Sequence, residues 1–297
     1  MSSDTDVCKY CLRYGEMVYY WLDTGAAKTT VQHNQQKSGI VYSITGGASG
    51  IGRATAHLLA RHGAAAIWIA DKQTSVFDQV RKEIKEINQD TEVYLEDIDV
   101  GDNAQVQDWV QRIIKTSGAL HGSANAAGIP QKAYTGGSRP AILIESDQEW
   151  ERILRVNLDG VKYCTRAQVE AMLSMDKGSH PAIVNVTSVV AFTHNAGTYA
   201  YQVSKAACEH FTKALANDVG KYGIRVNSVL PGSTLTPMTK VFFGDIPEGK
   251  FEETMEAYGL PPTPLQPEDV ARVIVWLLSE NSLDVNGVGL PVGGSEP

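Results

Sequence analysis

Apolar residues along this chain fall into short, nearly continuous runs separated by longer stretches in which they recur at helical spacing. Ile40-Val41-Tyr42-Ser43-Ile44 is a β-rich run that breaks at Gly46, Gly47 and Gly50. Ile51, Thr55, Leu58 and Leu59 follow on one helical face, with Gly63 as the stop. Ala66 to Ala70 reads as the second strand, Phe77, Val80, Ile84 and Ile87 as the next helix, and Val93 to Leu95 as the third strand. Val106, Val110, Ile113 and Ile114 predict a further helix before a small-residue strand around Ser123 to Ala126. Later strands fall near Ile183 to Val186 and Arg225 to Leu230, and a helix near Pro267 to Leu278. Strands and helices alternating at this spacing predict parallel β-α-β units, hence an α/β doubly wound parallel sheet with helices on both faces. Runs that are apolar throughout fit strands covered on both sides.

Residues 1–38 break this rhythm. They hold a polar opening, the aromatic cluster Tyr19, Tyr20 and Trp21, and a Gln/Asn/Lys/Ser run from Gln32 to Ser38. Such a segment buries little, and it predicts a flexible extension ahead of a single domain over 39–297. The whole chain of 297 residues is 43% apolar and 20% charged, a globular balance. Against 34 Asp plus Glu stand 26 Lys plus Arg, and the net charge of −8 disfavours nucleic acid and anionic membranes as partners. The cysteines at 8, 11, 164 and 208 are too few and too uneven for a disulfide framework. No apolar run approaches the roughly 20 residues of a bilayer span. A cytoplasmic protein is expected.

Thr45-Gly46-Gly47-Ala48-Ser49-Gly50-Ile51-Gly52 lies where the first strand passes into the first helix. Glycines there permit a tight turn, let backbone N–H groups approach a pyrophosphate and let helix and strand pack closely. The helix N-terminus adds a partial positive charge beneath the anion. The spacing is G-x-x-x-G-x-G rather than G-x-G-x-x-G, and a plain tight turn would use similar residues. About 20 residues further on, Asp71 ends the second strand, placed to accept the ribose hydroxyls of an adenine dinucleotide and to repel a 2′-phosphate. Arg53 and Lys72 are close enough in sequence to blunt that preference, and a solvated turn Asp is the plain alternative. The expected cofactor is NAD, ahead of NADP.

Tyr201-Gln202-Val203-Ser204-Lys205 sets a phenol and an amine at i and i+4, on one face if the segment is helical. A phenol is a poor base at neutral pH, with a pKa of roughly 10. A neighbouring ammonium and an oxidised nicotinamide both favour the phenolate and lower that value. Ser188 ends the Ile183 to Thr187 strand, where its hydroxyl can hold a substrate oxygen. Tyr-x-x-x-Lys alone occurs often by chance.

With these residues in place, the chain resembles the short-chain dehydrogenase/reductase family from about Gly39 to Gly294. The Thr45 to Gly52 turn matches the family's T-G-x-x-x-G-x-G, and Asp99-Val100 matches its third-strand Asp near the adenine ring. Asn125-Ala126-Ala127-Gly128 stands for N-N-A-G, with Ala126 in place of the second Asn. Asn157 matches the active-site Asn of a long central helix. Ser188, Tyr201 and Lys205 complete the catalytic set, and Pro231-Gly232, Thr234 and Thr236 form the P-G loop, whose Thr contacts the nicotinamide carboxamide. Ala191 replaces a common Gly, and Pro291-Val292-Gly293-Gly294 lacks the usual Asp.

The resemblance implies a Rossmann-type oxidoreductase that interconverts a secondary alcohol and a ketone, working as a homodimer or homotetramer. Tyr201 would be the general acid/base and Ser188 would position the reacting oxygen. Lys205 would lower the Tyr pKa and bind the nicotinamide ribose. Asn157 would hold a water relaying protons from Lys205 to solvent. Two rivals remain: an NADPH-dependent ketoreductase, and a catalytically silent dinucleotide-binding regulator, which should have lost part of the catalytic four.

Other signals carry less. Cys8-x-x-Cys11 lacks partners for zinc, and the histidines show no metal spacing, so no metal is expected. Asn185-Val186-Thr187 is a glycosylation sequon inside an expected buried strand, and Trp150 and Trp276 read as packing residues. Two amphipathic pieces follow the P-G loop: Met238, Val241 and Phe242, then Phe251, Met255 and Tyr258. They suggest a lid hinged at Gly244, Gly249 and Gly259, opposite a wall formed by Pro130 to Ile144. A bulky, largely apolar substrate of secondary metabolism is expected.

Overall fold

The computed structural model describes residues 39–134, 137–176, 178–244, 250, 253, 256 and 264–293. The aromatic cluster, Cys8 and Cys11, and the lid residues Phe251, Met255 and Tyr258 lie outside them, as does Gly294. In chain order the elements are β1 (Val41–Thr45), α1 (Gly50–Arg61), β2 (Ala66–Asp71), α2 (Phe77–Ile87), β3 (Glu92–Asp97), α3 (Asn103–Ser117) and β4 (Gly122–Asn125). There follow α4 (Asp147–Leu154), a wider π turn (Arg155–Asp159), α5 (Gly160–Leu173), β5 (Ala182–Val186) and α6 (Tyr199–Val219). The series ends with β6 (Arg225–Pro231), α7 (Pro237–Phe243), α8 (Pro267–Leu278) and β7 (Gly289–Val292).

Among the described residues the strands form one seven-stranded sheet in the order β3-β2-β1-β4-β5-β6-β7. Every neighbouring pair is parallel. The strand order reverses between β1 and β4, and in such sheets ligands bind in the crevice beyond the carboxyl ends at that point.

The period of two along each strand divides the core. In β2, Ala66, Trp68 and Ala70 join the cluster under Trp109, Ile113, Cys164 and Met172, from α3 and α5. Ile67 and Ile69 point the other way, to Leu59, Val80, Ile84 and Ile274 of α1, α2 and α8. Both faces are therefore buried, which explains the lack of polar alternation in the strands. Local chemistry ends several helices: Asp102 caps α3 through the Ala104 and Gln105 N–H groups, and Gly118 closes it in the left-handed region. The buried guanidinium of Arg225 donates to the Leu277 and Ser279 carbonyls at 2.8 and 3.1 Å, capping the end of α8.

α6 buries a row of small side chains, Ala200, Ser204, Cys208, Thr212 and Ala216, which lets it lie close to the sheet. Beneath it runs a buried polar chain. Asn125 and Gln168 exchange side-chain hydrogen bonds at 2.9 Å, and Asn125 Nδ2 also donates to Asn185 Oδ1 at 2.9 Å. Asn185 in turn donates to Thr212 Oγ1 at 2.9 Å. The Asn185 sequon is thus buried in β5 and committed to this chain. Trp276, expected to pack, is 40% exposed on the outer side of α8. No helix among the described residues is long and apolar enough to cross a membrane.

Candidate active site

The glycine turn is built as a cradle between β1 and α1. Gly46 and Gly50 have φ of 70° and 49°, values that disfavour any side chain. A Cβ at Gly52 would come within 2.2 Å of the Gly46 carbonyl oxygen, and one at Gly46 within 2.8 Å of the Ala127 backbone. The turn therefore closes on itself and against the Asn125-Ala126-Ala127-Gly128 segment. Ala126 N–H donates to the Thr45 carbonyl at 3.1 Å, and Ala127 N–H to Thr45 Oγ1 at 3.2 Å. Ser49 stands at the N-terminal boundary of α1 with extended backbone and no side-chain capping bond, Ile51 lies just inside, and no acid occupies that first turn. An anion is accommodated by such a helix start.

Asp71 stands at the end of β2 beside the turn. Its two carboxylate oxygens accept the Ala48 and Gln73 N–H groups, each at 2.9 Å. The nearby cations are both paired with acids: Arg53 Nε donates to Glu83 at 2.8 Å, and Lys72 meets Asp97 at 2.6 Å. Asp99 accepts from Arg155 and from the Gly101 N–H, each at 2.9 Å. Burial pushes its carboxyl up, but these partners together hold it below the ordinary carboxylate range. Val100 is buried against Gly160, where a Cβ would sit 2.8 Å from a Val100 methyl.

The expected catalytic residues converge beyond β5. Tyr201 is buried in the first turn of α6, its hydroxyl hydrogen-bonded with Ser188 and 4.0 Å from Met238 Sδ. Phe242 of α7 meets its ring edge to face, with centroids 5.2 Å apart and planes at 69°. Met238 and Phe242, the first amphipathic piece after the P-G loop, thus cover the phenol. Ser188 Oγ lies 3.4 Å from the Pro231 carbonyl, to which it donates, and accepts the Val190 N–H at 3.3 Å. Lys205 is buried one turn below Tyr201 and donates to the Val186 carbonyl at 3.0 Å.

A lowered phenol pKa was the expectation, and the chain itself does the opposite. Burial pushes Tyr201 up to about 12, with the Ser188 hydrogen bond offsetting only part of it. Burial likewise draws the Lys205 ammonium below the ordinary lysine value.

Asn157 occupies the π turn, a distortion frequent at functional sites. Its side chain is clamped on Ile129: Oδ1 accepts the N–H at 2.8 Å and Nδ2 donates to the carbonyl at 3.0 Å. Its own carbonyl accepts from Cys208 Sγ at 2.9 Å. Gly128 lies between them, since a Cβ there would meet Asn157 Oδ1 at 3.4 Å and Lys205 Nζ at 3.6 Å. Asn125, expected beside the cofactor, has its amide in the buried chain beneath β4.

The P-G loop crosses the same crevice. A Cβ at Gly232 would sit 2.8 Å from the Gly293 carbonyl oxygen, and one at Gly50 3.0 Å from Thr236 Cγ2. Thr234 Oγ1 donates to the Gly232 carbonyl at 3.0 Å, and Thr236 caps α7 with Thr239. Thr236 thus brings the P-G loop against the glycine cradle. Among the described residues no cluster of His, Cys, Asp and Glu is arranged to hold a metal.

Sequence reasoning passed over Gln131 and Glu145. The fully buried Gln131 accepts the Tyr201 N–H at 2.9 Å and donates to Glu145 Oε1 at 2.8 Å. The available signal was negative: Thr198, ahead of α6, is followed three residues later by Tyr201 rather than the Glu or Gln of a capping box.

Known proteins resemble the chain over the region that carries these residues. The family model described as enoyl-(acyl carrier protein) reductase matches residues 46–294. The chain is 46% identical over 265 residues to the chanoclavine-I dehydrogenase of Arthroderma otae, covering 86% of this chain and 97% of that protein. It is 47% identical over 261 residues to the chanoclavine-I dehydrogenase of Penicillium roqueforti, with the same coverage. Among solved structures, levodione reductase superposes with a TM-score of 0.77 at 29% identity, over 86% of this chain and 96% of the other. A Brucella melitensis 3-ketoacyl-(acyl-carrier-protein) reductase complexed with NADH gives 0.74 at 27%, covering 87% and 98%. A Burkholderia cenocepacia short chain dehydrogenase in complex with NADP gives 0.74 at 27%, covering 86% and 97%.

Proposed function

The chain belongs to the short-chain dehydrogenase/reductase family, and from that membership we propose an NAD-dependent dehydrogenase that oxidises chanoclavine-I or a closely similar bulky, largely apolar alcohol. NAD(P)-dependent oxidoreduction is the activity that family and relatives share. The finer reading rests on one observation above all: a phenol, a serine hydroxyl and a buried ammonium meet under an apolar cover supplied by Met238 and Phe242.

The residues fit a dinucleotide. Thr45, Gly46, Ser49, Gly50, Ile51 and Gly52 would hold the pyrophosphate, and Asp71 the adenosine ribose. Asp99, Val100, Ala126 and Gly128 would line the adenine and central part, the Asn125 side chain being committed beneath β4, and Pro231, Gly232, Thr234 and Thr236 the nicotinamide. When bound, the nicotinamide supplies the hydride acceptor. NAD is preferred on this reading because Asp71 carries negative charge at the turn, while Arg53 and Lys72 are already paired with Glu83 and Asp97.

In oxidation, the Tyr201 phenolate takes the hydroxyl proton of the alcohol while Ser188 holds the same oxygen in line. The buried site leaves the phenol strongly basic, so charge is needed to make phenolate near neutral pH. Lys205, when charged, sets a positive group 5.7 Å from the ring centre, and it would also bind the nicotinamide ribose. Asn157 would hold a water that links Lys205 to solvent, and its side chain fixes Ile129 beside the site. The enzyme is read as cytoplasmic and as a homodimer or homotetramer.

Turnover of chanoclavine-I with NAD and with NADP tests this reading. Faster kcat/KM with NAD is expected. Inertness toward chanoclavine-I beside brisk turnover of small sugars or hydroxy acids would overturn the substrate assignment, and preference for NADP the cofactor.

A further inference from the structure

The first N–H groups of a helix have no partners within it and must be capped from outside. α6 begins at Tyr199, and the side chain of Thr198 makes no capping bond. Two of its leading N–H groups are met instead from the loop between β4 and α4. Ala200 N–H donates to Glu145 Oε1 at 3.3 Å, and Tyr201 N–H to Gln131 Oε1 at 2.9 Å. Gln131 Nε2 donates to that same Glu145 oxygen at 2.8 Å, which fixes which end of the Gln131 amide faces Tyr201. The Glu145 carboxylate also lies where the dipole of α6 is positive.

One further bond joins the loop to the approach to α6, and a second ties the loop to its own far end. Tyr134 N–H donates to the Gly197 carbonyl at 2.9 Å, and the Tyr134 hydroxyl accepts the Ser146 N–H at 3.3 Å. Between these ties the loop carries an exposed apolar crest, Ile142, Leu143 and Ile144. The backbone nitrogen of Tyr201 is therefore held by a residue of this loop and not by its own helix.

We propose that Gln131 and Glu145 are positioning residues, which set the Tyr201 phenol against the reacting oxygen by capping α6 from the β4–α4 loop. This rests on the reading of Tyr201 as the general acid/base. Gln131 holds the backbone of Tyr201, and Glu145 holds Gln131 and Ala200 together. A displacement of about 1 Å in a reacting group costs on the order of 100-fold in rate, and both residues act on the phenol through the backbone of α6.

The test compares Gln131→Met, Glu145→Ala, Glu145→Gln and Tyr201→Phe in the full chain, with chanoclavine-I and NAD. Gln131→Met keeps the bulk of the side chain and removes both hydrogen bonds. It should lower kcat by about 10- to 100-fold, with KM and the NADH dissociation constant from fluorescence titration little changed. Glu145→Ala should act in the same direction, and Glu145→Gln should rescue most of that loss, because an amide oxygen still accepts both N–H groups. Parent kcat in a folded Gln131→Met would overturn the inference. So would parallel losses of kcat, cofactor affinity and thermal midpoint, which would mark a general structural role. Should Gln131→Met not fold, the Glu145→Ala and Glu145→Gln pair decides by the same criteria. An inert Tyr201→Phe beside a fully active Gln131→Met sinks this inference alone. A fully active Tyr201→Phe sinks the reading of Tyr201, and the inference with it.

Discussion

The ammonium of Lys205 lies 5.7 Å from the centre of the Tyr201 ring while donating to the Val186 carbonyl at 3.0 Å. The two groups are buried together, and burial opposes ionisation of each: the phenol rises to about 12 and the amine falls. Their charges, once formed, are of opposite sign and support one another in a medium that screens weakly. A dry site thus makes the pair inert separately and responsive jointly.

Replacing Tyr201 by Phe should lower kcat by about 10²–10⁴-fold and leave NADH affinity in place, because general acid–base chemistry alone is lost. The stability profile gives a second check. A phenol whose folded pKa of about 12 exceeds the ordinary value near 10 favours the folded state fully below pH 10, and that contribution disappears as pH rises through 12. Phe has no proton to lose. Denaturant titrations should therefore show Tyr201→Phe gaining on the parent protein as pH climbs from about 10 to 12. A constant difference would mean that Tyr201 is less buried than described.

Asp71→Ala removes the carboxylate that accepts the Ala48 and Gln73 N–H groups. The NAD over NADP preference should fall by about tenfold or more, since an acceptor and a repulsive charge vanish together. Measured kcat/KM values for the two cofactors decide it. An unaltered ratio would leave Asp71 as a turn residue.

Phe242→Ala takes away the edge-to-face contact over the phenol, worth roughly 0.5–1.5 kcal/mol beyond area. Because this ring covers the phenol, KM for the alcohol substrate should rise several-fold while the dissociation constant for NADH stays level. Equal weakening of both would place the effect in the fold instead.

Arg225→Met should cost stability and nothing else. It strips the carbonyls of Leu277 and Ser279 of their buried donor, a loss of about 2–4 kcal/mol for a charged hydrogen-bonding group. Denaturation midpoints should fall while kcat and KM of the remaining folded enzyme hold. A selective fall in kcat would contradict a purely structural cap.

Much of the frame was readable before any coordinates. Gly63, taken as the stop of α1, has φ of 80°, and the Ala66 to Ala70 run became β2 with Asp71 at its tip. Those features are local: a left-handed residue, a β-branched run, a spacing. α6 gave a weaker signal, because its buried face is built from Ala, Ser, Cys and Thr rather than large apolar residues. The π turn at Asn157 left no mark, since no Pro or Gly forces it. Gln131 and Glu145 belong to no motif, and only the folded chain brings them from one loop to the head of another helix. The direction of the Tyr201 shift was likewise hidden, because desolvation depends on what Met238 and Phe242 cover.

The amide and hydroxyl chain under the site, Gln168–Asn125–Asn185–Thr212, has a kinetic consequence as well. Lifting α5 off the sheet would leave Asn125 Oδ1 without its Gln168 donor, and lifting α6 would leave Asn185 Nδ2 without its Thr212 acceptor, each at a buried position. Neither helix can breathe alone at tolerable cost. β4, β5, α5 and α6 should accordingly open as one cooperative block, their innermost amides exchanging hydrogen for deuterium at a shared slow rate. The part of the sheet that carries Ser188 and Tyr201 would then be the last to loosen.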